Sequence, residues 1–423
     1  MAARHRITLP ARFAGLTQGA FMAIAMVVAG GFDYLVNILV GRWLVPTEFF
    51  VFVTVTAIVQ IMVQVTNVIR NVVAYYTAEA TVLPEPEARI GVLLGRSWRW
   101  AWRWGLVAAV VFALLSPVVA RFLRIDTPWP LVAAAFALLL LFLRPVTDGT
   151  LQGIQHFFGL GSVQILQSFM RLVFAAGLVW AGLQATGAVV ALPLGSTVAL
   201  VLALWLLAPY FRAPQPTVTP GPISWRYSVY TLIGLVAFAL MVNADAIIVR
   251  RLFGDAAAEA YGPVVTLGKM NLFIPLGIGL VLFPKATQRH AAGRDSRPVL
   301  LLALGATLLP GLVLTVFYYL FPGWIVQTVF GDAYSDPGTL LALVGLATTL
   351  YAGISIWLNY ALSLERRAFV FILAATVVLQ IGLMLTFHPR LETIALIMIG
   401  AGMAGNLAGA ATTLTTPRRP AKP

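Results

Sequence analysis

Apolar residues in this chain run in blocks of roughly 20, the length a helix needs to cross the hydrocarbon of a bilayer. Twelve such blocks are predicted, at 16–40, 49–71, 104–121, 129–147, 158–182, 187–208, 228–250, 261–283, 299–320, 339–361, 368–387 and 391–413. The breaks between them carry turn chemistry, as in Val45-Pro46-Thr47, Ile125-Asp126-Thr127-Pro128, Ala185-Thr186-Gly187 and the stretch from Asp332 to Gly338. The pattern predicts an all-α polytopic membrane protein. The longest connections on the side of the amino terminus are expected at 72–103 and 209–227.

A second pattern lies inside the blocks. Thr56, Gln60, Gln64, Asn67 and Asn71 recur along the second span, and at about 100° per residue they fall on one line. Such a stripe is costly against lipid, so it faces protein or water. It either lines a cavity or bonds neighbouring helices. Gln164, Gln167, Ser168 and Arg171 repeat the arrangement in the fifth span, and Tyr351, Ser355 and Asn359 form a weaker one in the tenth.

Two acids stand alone in apolar surroundings, Asp33 in the first span and Asp245 in the seventh. An ionisable group at membrane depth faces a partner or a wet cavity. Asp33 with Asn37, and Asp245 with Asn243, offer oxygens to a coupling proton or sodium ion, or balance a buried base. Arg171 sits mid-span, where it either neutralises an acid or meets an anionic substrate. Lys269 is a second cavity cation, and Arg70 is expected to snorkel from a helix end. Three bases against two acids tilt such a cavity toward anionic ligands bearing sugar or phosphate.

Composition agrees with the spans. Of 423 residues, 60% are hydrophobic and only 10% charged, against about 25% charged in soluble domains. The net charge of +13 reads as topology rather than nucleic-acid binding. With the amino terminus on one side, that side collects Arg4, Arg6, Arg12, Arg89, Arg96, Arg99, Arg103, Arg144 and most later bases. The other side receives Arg42, Arg121, Arg124, Arg250, Arg251 and Arg390. Basic loops resist translocation, so the richer side is cytoplasmic and both termini lie there. The mixed run Arg96 to Trp104, alternating arginine with tryptophan, fits an interfacial anchor.

Proline-rich residues 213–226 separate the sixth and seventh spans and act as a linker between six-span lobes at 1–212 and 227–423. An even number per lobe gives both the same orientation, hence a parallel repeat. The segments around Asp33-to-Phe50 and Asp245-to-Tyr261 align at an offset of about 209 residues when two residues are inserted in the second copy, with the acids themselves three positions out of register.

Enzymatic chemistry is not visible. Gly268-Lys269 continues into Met270 and lacks the leading glycine of a phosphate loop. His5, His156, His290 and His388 are scattered, there is no cysteine, and the outer loops are too short to carry an acid/base pair. No metal or cofactor is expected beyond a coupling proton or sodium ion.

Gly41-Arg42-Trp43-Leu44-Val45-Pro46-Thr47-Glu48-Phe49-Phe50 resembles the G-R-x-L-x-P-x-E-F-G segment after the first helix of polysaccharide flippases, with Phe50 where glycine is usual. Leu151-Gln152-Gly153 resembles their L-Q-G step, and Asp245 through Tyr261 followed by Pro284 resembles their seventh- and eighth-helix pattern. These flippases belong to the multidrug/oligosaccharidyl-lipid/polysaccharide exporter superfamily. Many of them have fourteen spans, against the twelve read here. The resemblance implies two six-helix lobes around a central cavity, in the MATE manner. It implies alternating access that carries polyprenyl-pyrophosphate-linked oligosaccharide across the plasma (inner) membrane, for surface glycans such as the O-antigen of lipopolysaccharide. Polysaccharide polymerase and glycosyltransferases would be functional partners. Two other readings remain open: a cation-coupled multidrug antiporter of the same fold, and a membrane-embedded glycan enzyme.

Overall fold

A computed structural model describes residues 11–212, 226–272, 297–363 and 367–414. Among these residues the chain is helical, without strands. The first half contains α1 (Ala11–Trp43), α2 (Pro46–Ala80), α3 (Pro86–Leu123), α4 (Trp129–Gly153), α5 (Phe157–Trp180) and α6 (Gln184–Phe211). The second contains α7 (Arg226–Phe253), α8 (Ala258–Gly268), α9 (Arg297–Leu320), α10 (Pro322–Phe330), α11 (Thr339–Ser363), α12 (Arg367–Thr386) and α13 (Leu391–Leu414). Among the described residues, eleven helices are long and apolar enough to cross a membrane. The remaining expected span, 261–283, begins as α8 and a 3₁₀ turn over Lys269–Leu272, and its later part lies outside the described residues. Residues 213–225 of the expected linker also lie outside them.

The helix pairings of the two halves match. In the first, α1 packs on α5, α2 on α4, α3 on α4, α4 on α6 and α5 on α6. In the second, α7 packs on α12, α8 on α11, α9 on α11, α11 on α13 and α12 on α13. Replacing the six helices of one set, in order, by α7, α8, α9, α11, α12 and α13 reproduces the other. The short α10 is an addition on the far face, meaning the face where α1 ends; the near face is the one from which α1 starts. Contact between halves runs chiefly through α2 against α7 and α8.

Several helices outrun the spans read from hydropathy. The expected connection at 72–103 shrinks to the turn at 81–85, because α2 continues to Ala80 and α3 starts at Pro86. Hydropathy marks only the part of a helix within hydrocarbon. Alanine, glutamate, leucine and arginine sustain the helix beyond it, and Pro86 suits a first helical position. The same effect corrects Arg144. Expected near a loop, it lies inside α4 and is buried.

Close helix approach places α4 on α2. A Cβ at Gly149 would stand 2.6 Å from the Arg70 carbonyl oxygen, and one at Gly153 would stand 2.7 Å from that of Ala74. Glycines one turn apart admit a backbone that larger residues would exclude. Leu151-Gln152-Gly153 is therefore the closing turn of α4 rather than a loop after it.

Candidate functional site

The first half holds Asp33 by charge. Arg171 Nη1 on α5 donates to Asp33 Oδ1 at 2.9 Å, and Ser168 Oγ donates to Oδ2 at 3.0 Å. The arginine side chain is 7% exposed and the carboxylate 38%. Of the two roles open to Arg171, the structure realises the ion pair. Asn37 is one turn along α1, but its amide donates to the Asp33 backbone carbonyl and not to the carboxylate.

A further polar group lies deeper toward the near face. Arg144 Nη2 meets Asp148 Oδ2 at 3.1 Å within α4. Arg144 also donates to Gln167 Oε1 at 2.7 Å, Gln167 donates to Ser196 at 3.2 Å, and Gln164 reaches Asp148 at 3.5 Å. Gln164 and Gln167 thus sit inside a network of the first half. Arg70 joins its edge, with a buried Nε and Asp148 as counter-charge. Asp148 escaped sequence reasoning because the fourth span was closed at 147. The i,i+4 spacing of Arg144 and Asp148 was the available signal.

The second half holds its acid differently. Asp245 on α7 is 1% exposed. Tyr261 Oη, from α8, donates to its Oδ2 at 2.9 Å. Oδ1 has no hydrogen-bond partner among the described residues, and neither does Gln380 Oε1. Tyr351 stands beside both Asp245 and Gln380. Lys269 Nζ donates to Asn243 Oδ1 at 3.0 Å and is within electrostatic range of Asp245. Asn243 spends its own amide on the Ala239 carbonyl.

The amide stripe of α2 keeps an accessible face. Gln60 and Asn71 are exposed, and Thr56, Gln64 and Asn67 are half-buried. Asn67 Nδ2 donates to Gln64 Oε1 at 3.1 Å, which fixes their mutual orientation. Behind the stripe α2 is packed on α4, and beside it lie α7 and α8 of the other half. In the second-half stripe, Ser355 and Asn359 return their side chains to backbone carbonyls of their own helix.

On the far face each half reaches into the other through an arginine. Arg42, at the end of α1, donates through Nε to the Val329 carbonyl at 2.7 Å and also bonds the Thr328 carbonyl, both at the end of α10. Arg250, near the end of α7, donates to the Arg124 carbonyl just past α3 at 2.8 Å, and pairs with Asp255 at 2.5 Å. It also lies over the Phe50 ring at 5.7 Å. Around Arg42, Tyr334 donates to the Gly41 carbonyl at 2.7 Å, and Phe49 packs against Phe330 and Tyr334. A Cβ at Gly41 would collide with the Phe330 ring, so glycine is required there. Both arginines were visible in the sequence repeat, but their partners are carbonyls of distant residues, which no local pattern reveals.

This architecture is the MATE fold. An inward-facing multidrug resistance MATE family transporter of the MOP superfamily superimposes with a TM-score of 0.69 at 13% identity, covering 92% of this chain and 99% of its own. An outward-facing structure of such a transporter gives 0.64 at 14% identity, over 94% and 97%. A eukaryotic MATE transporter gives 0.66 at 12% identity, over 96% of both chains. Two uncharacterized proteins from strains of Mycobacterium tuberculosis are each 24% identical over 307 residues, covering 70% of this chain and 69% of theirs. No family model matches the chain.

Proposed function

We propose that the chain is a membrane transporter that moves polyprenyl-pyrophosphate-linked oligosaccharide from the cytoplasmic to the outer leaflet by alternating access. The observation that carries this reading is the accessible stripe of uncharged amides at the seam of the halves. Glutamine and asparagine offer donors and acceptors together, which suits sugar hydroxyls. A drug cation would instead call for an accessible carboxylate. Among the described residues Asp33 is engaged by Arg171 and Ser168, Asp148 by Arg144, and Asp245 is enclosed. Those placements favour the glycan over the multidrug alternative.

In this reading Gln60, Gln64, Asn67 and Asn71 line the sugar path, and Lys269 draws the pyrophosphate. Arg171 and Asp33 balance one another. Asp245, with an oxygen unpaired among the described residues, takes the coupling proton or sodium ion. The near face is cytoplasmic, and the crossed arginines of the far face close the outer side of the path.

The test reconstitutes the full chain in vesicles that carry fluorescent lipid-linked oligosaccharide, and follows its exposure to an impermeant lectin. Wild type is expected to accelerate exposure, and Gln60→Leu/Gln64→Leu/Asn67→Leu to reduce the rate at least tenfold. Ethidium efflux in the same vesicles, unaltered by the triple change, with no glycan movement, would overturn the reading in favour of drug export.

A further inference from the structure

The near-face end of α3 carries a feature that transport does not use. Arg96, Arg99 and Arg103 are all exposed, and none forms an ion pair among the described residues. Their spacing of three and four places them on one stripe of the helix. Trp98, Arg99, Trp102 and Arg103 line a surface cavity of about 380 Å³. The tryptophans here are held from the protein side: Trp98 packs edge-on to Phe211 of α6 at 6.4 Å, and Trp100 lies 6.3 Å from Phe142 of α4.

What lies next along α3 fixes the depth of this cavity. Leu106, Val107, Val110, Val111, Leu114 and Val118 are exposed large apolar side chains. An exposed apolar face of that length belongs against acyl chains. The tryptophans at its near end then sit at the headgroup level, and the arginines beside them stand where lipid phosphates lie.

We propose that this cavity is a binding site for an anionic glycerophospholipid of the leaflet on the near face. The two guanidinium groups at Arg99 and Arg103 grip the phosphate. Guanidinium is suited to this because its planar fork can bond two phosphate oxygens at once. Trp98 and Trp102 cover the glycerol region, and the acyl chains run down the exposed face of α3. A simple interfacial anchor would need the tryptophans alone. The unpaired arginines sharing a cavity with them supply the selectivity for negative charge. The site is independent of what the protein carries.

Native mass spectrometry of the full chain, released from micelles with equal phosphatidylglycerol and phosphatidylcholine, tests this. Wild type is expected to retain phosphatidylglycerol preferentially. Arg99→Gln/Arg103→Gln should lower that preference by roughly thirtyfold, given about 1 kcal/mol for each of the two basic residues at an anionic surface. Arg89→Gln/Arg212→Gln removes the same charge from two other near-face positions, one half-buried and one exposed, and should leave the preference unchanged. The proposal is overturned if the first pair retains phosphatidylglycerol like wild type, if the second pair loses it equally, or if inorganic phosphate binds while the two lipids do not differ.

Discussion

The two halves share a pairing scheme yet hold their membrane acids by opposite means. Asp33 is partly exposed, with a full positive charge on one oxygen and a hydroxyl on the other. Asp245 is enclosed, bonded through one oxygen to a phenol, with the other oxygen unpaired among the described residues and a lysine at longer range. The same helix pairing carries different chemistry at a few positions. A carboxylate saturated by a guanidinium has little left to offer a mobile cation. One held by a neutral donor, with an oxygen unpaired among the described residues, keeps an acceptor for a mobile cation. The proposed ion-coupling role therefore falls on the second half, and the first half keeps a fixed contact.

The largest effect should come from breaking the fixed pair. Arg171→Leu removes the cation from Asp33 and leaves a carboxylate at membrane depth without its counter-charge. Losing one partner of a buried pair costs roughly 3–5 kcal/mol, and the partial exposure of Asp33 reduces that to about 2–3 kcal/mol. Thermal unfolding in detergent should register the loss. Adding Asp33→Leu should restore most of it, because an apolar pair of similar volume replaces the ionic one. A double variant as unstable as Arg171→Leu alone would mean that the pair is not the unit of stability.

The second half gives a smaller and differently shaped response. Tyr261→Phe strips the donor from Asp245 Oδ2 and leaves a buried acceptor unpaired, at a cost of about 1–3 kcal/mol. Asp245→Asn keeps an acceptor for the phenol while removing the charge, so stability should change by less than about 1 kcal/mol. If the acid takes a coupling ion, any stabilisation by sodium or protons seen in wild type should vanish in Asp245→Asn and persist in Asp33→Asn. The opposite pattern would reverse the roles of the two halves.

Much of this arrangement was legible in the sequence. Eleven of the twelve expected spans, both isolated acids, the α2 stripe and Arg171 follow from periodicity and from the cost of polar groups in hydrocarbon. Three things were not. Hydropathy could not see helix continuing past the bilayer, so α2 and α3 came out short and Asp148 fell outside its span. A single strand of sequence could not decide which acid Arg171 would meet, since Asp33 lies 138 residues away. Asn37 carried the right spacing to serve the carboxylate, yet its amide is bonded to the backbone of its own helix, a competition that spacing alone does not resolve.

The far face offers the finest contrast, because there the halves use the same residue type in different surroundings. Arg250 is 2% exposed, whereas Arg42 is solvent-accessible. Both end on carbonyls across the seam, Arg250 on Arg124 and Arg42 on Thr328 and Val329. Hydrogen bonds from a charged donor contribute about 1.5–3 kcal/mol when enclosed, and much less where water competes. Arg250→Gln should therefore separate the halves on the far face more than Arg42→Gln, with the latter changing stability by less than about 1 kcal/mol. The chain has no cysteine, so spin labels at Val45→Cys and Asp332→Cys report this separation without background. Both sites are exposed, one in each half beside the contact. A distance distribution that broadens toward longer values in the order wild type, Arg42→Gln, Arg250→Gln is the expected result. Equal distributions in all three would assign closure of the far face to the packing of Phe49, Phe330 and Tyr334, with the arginines only riding on it.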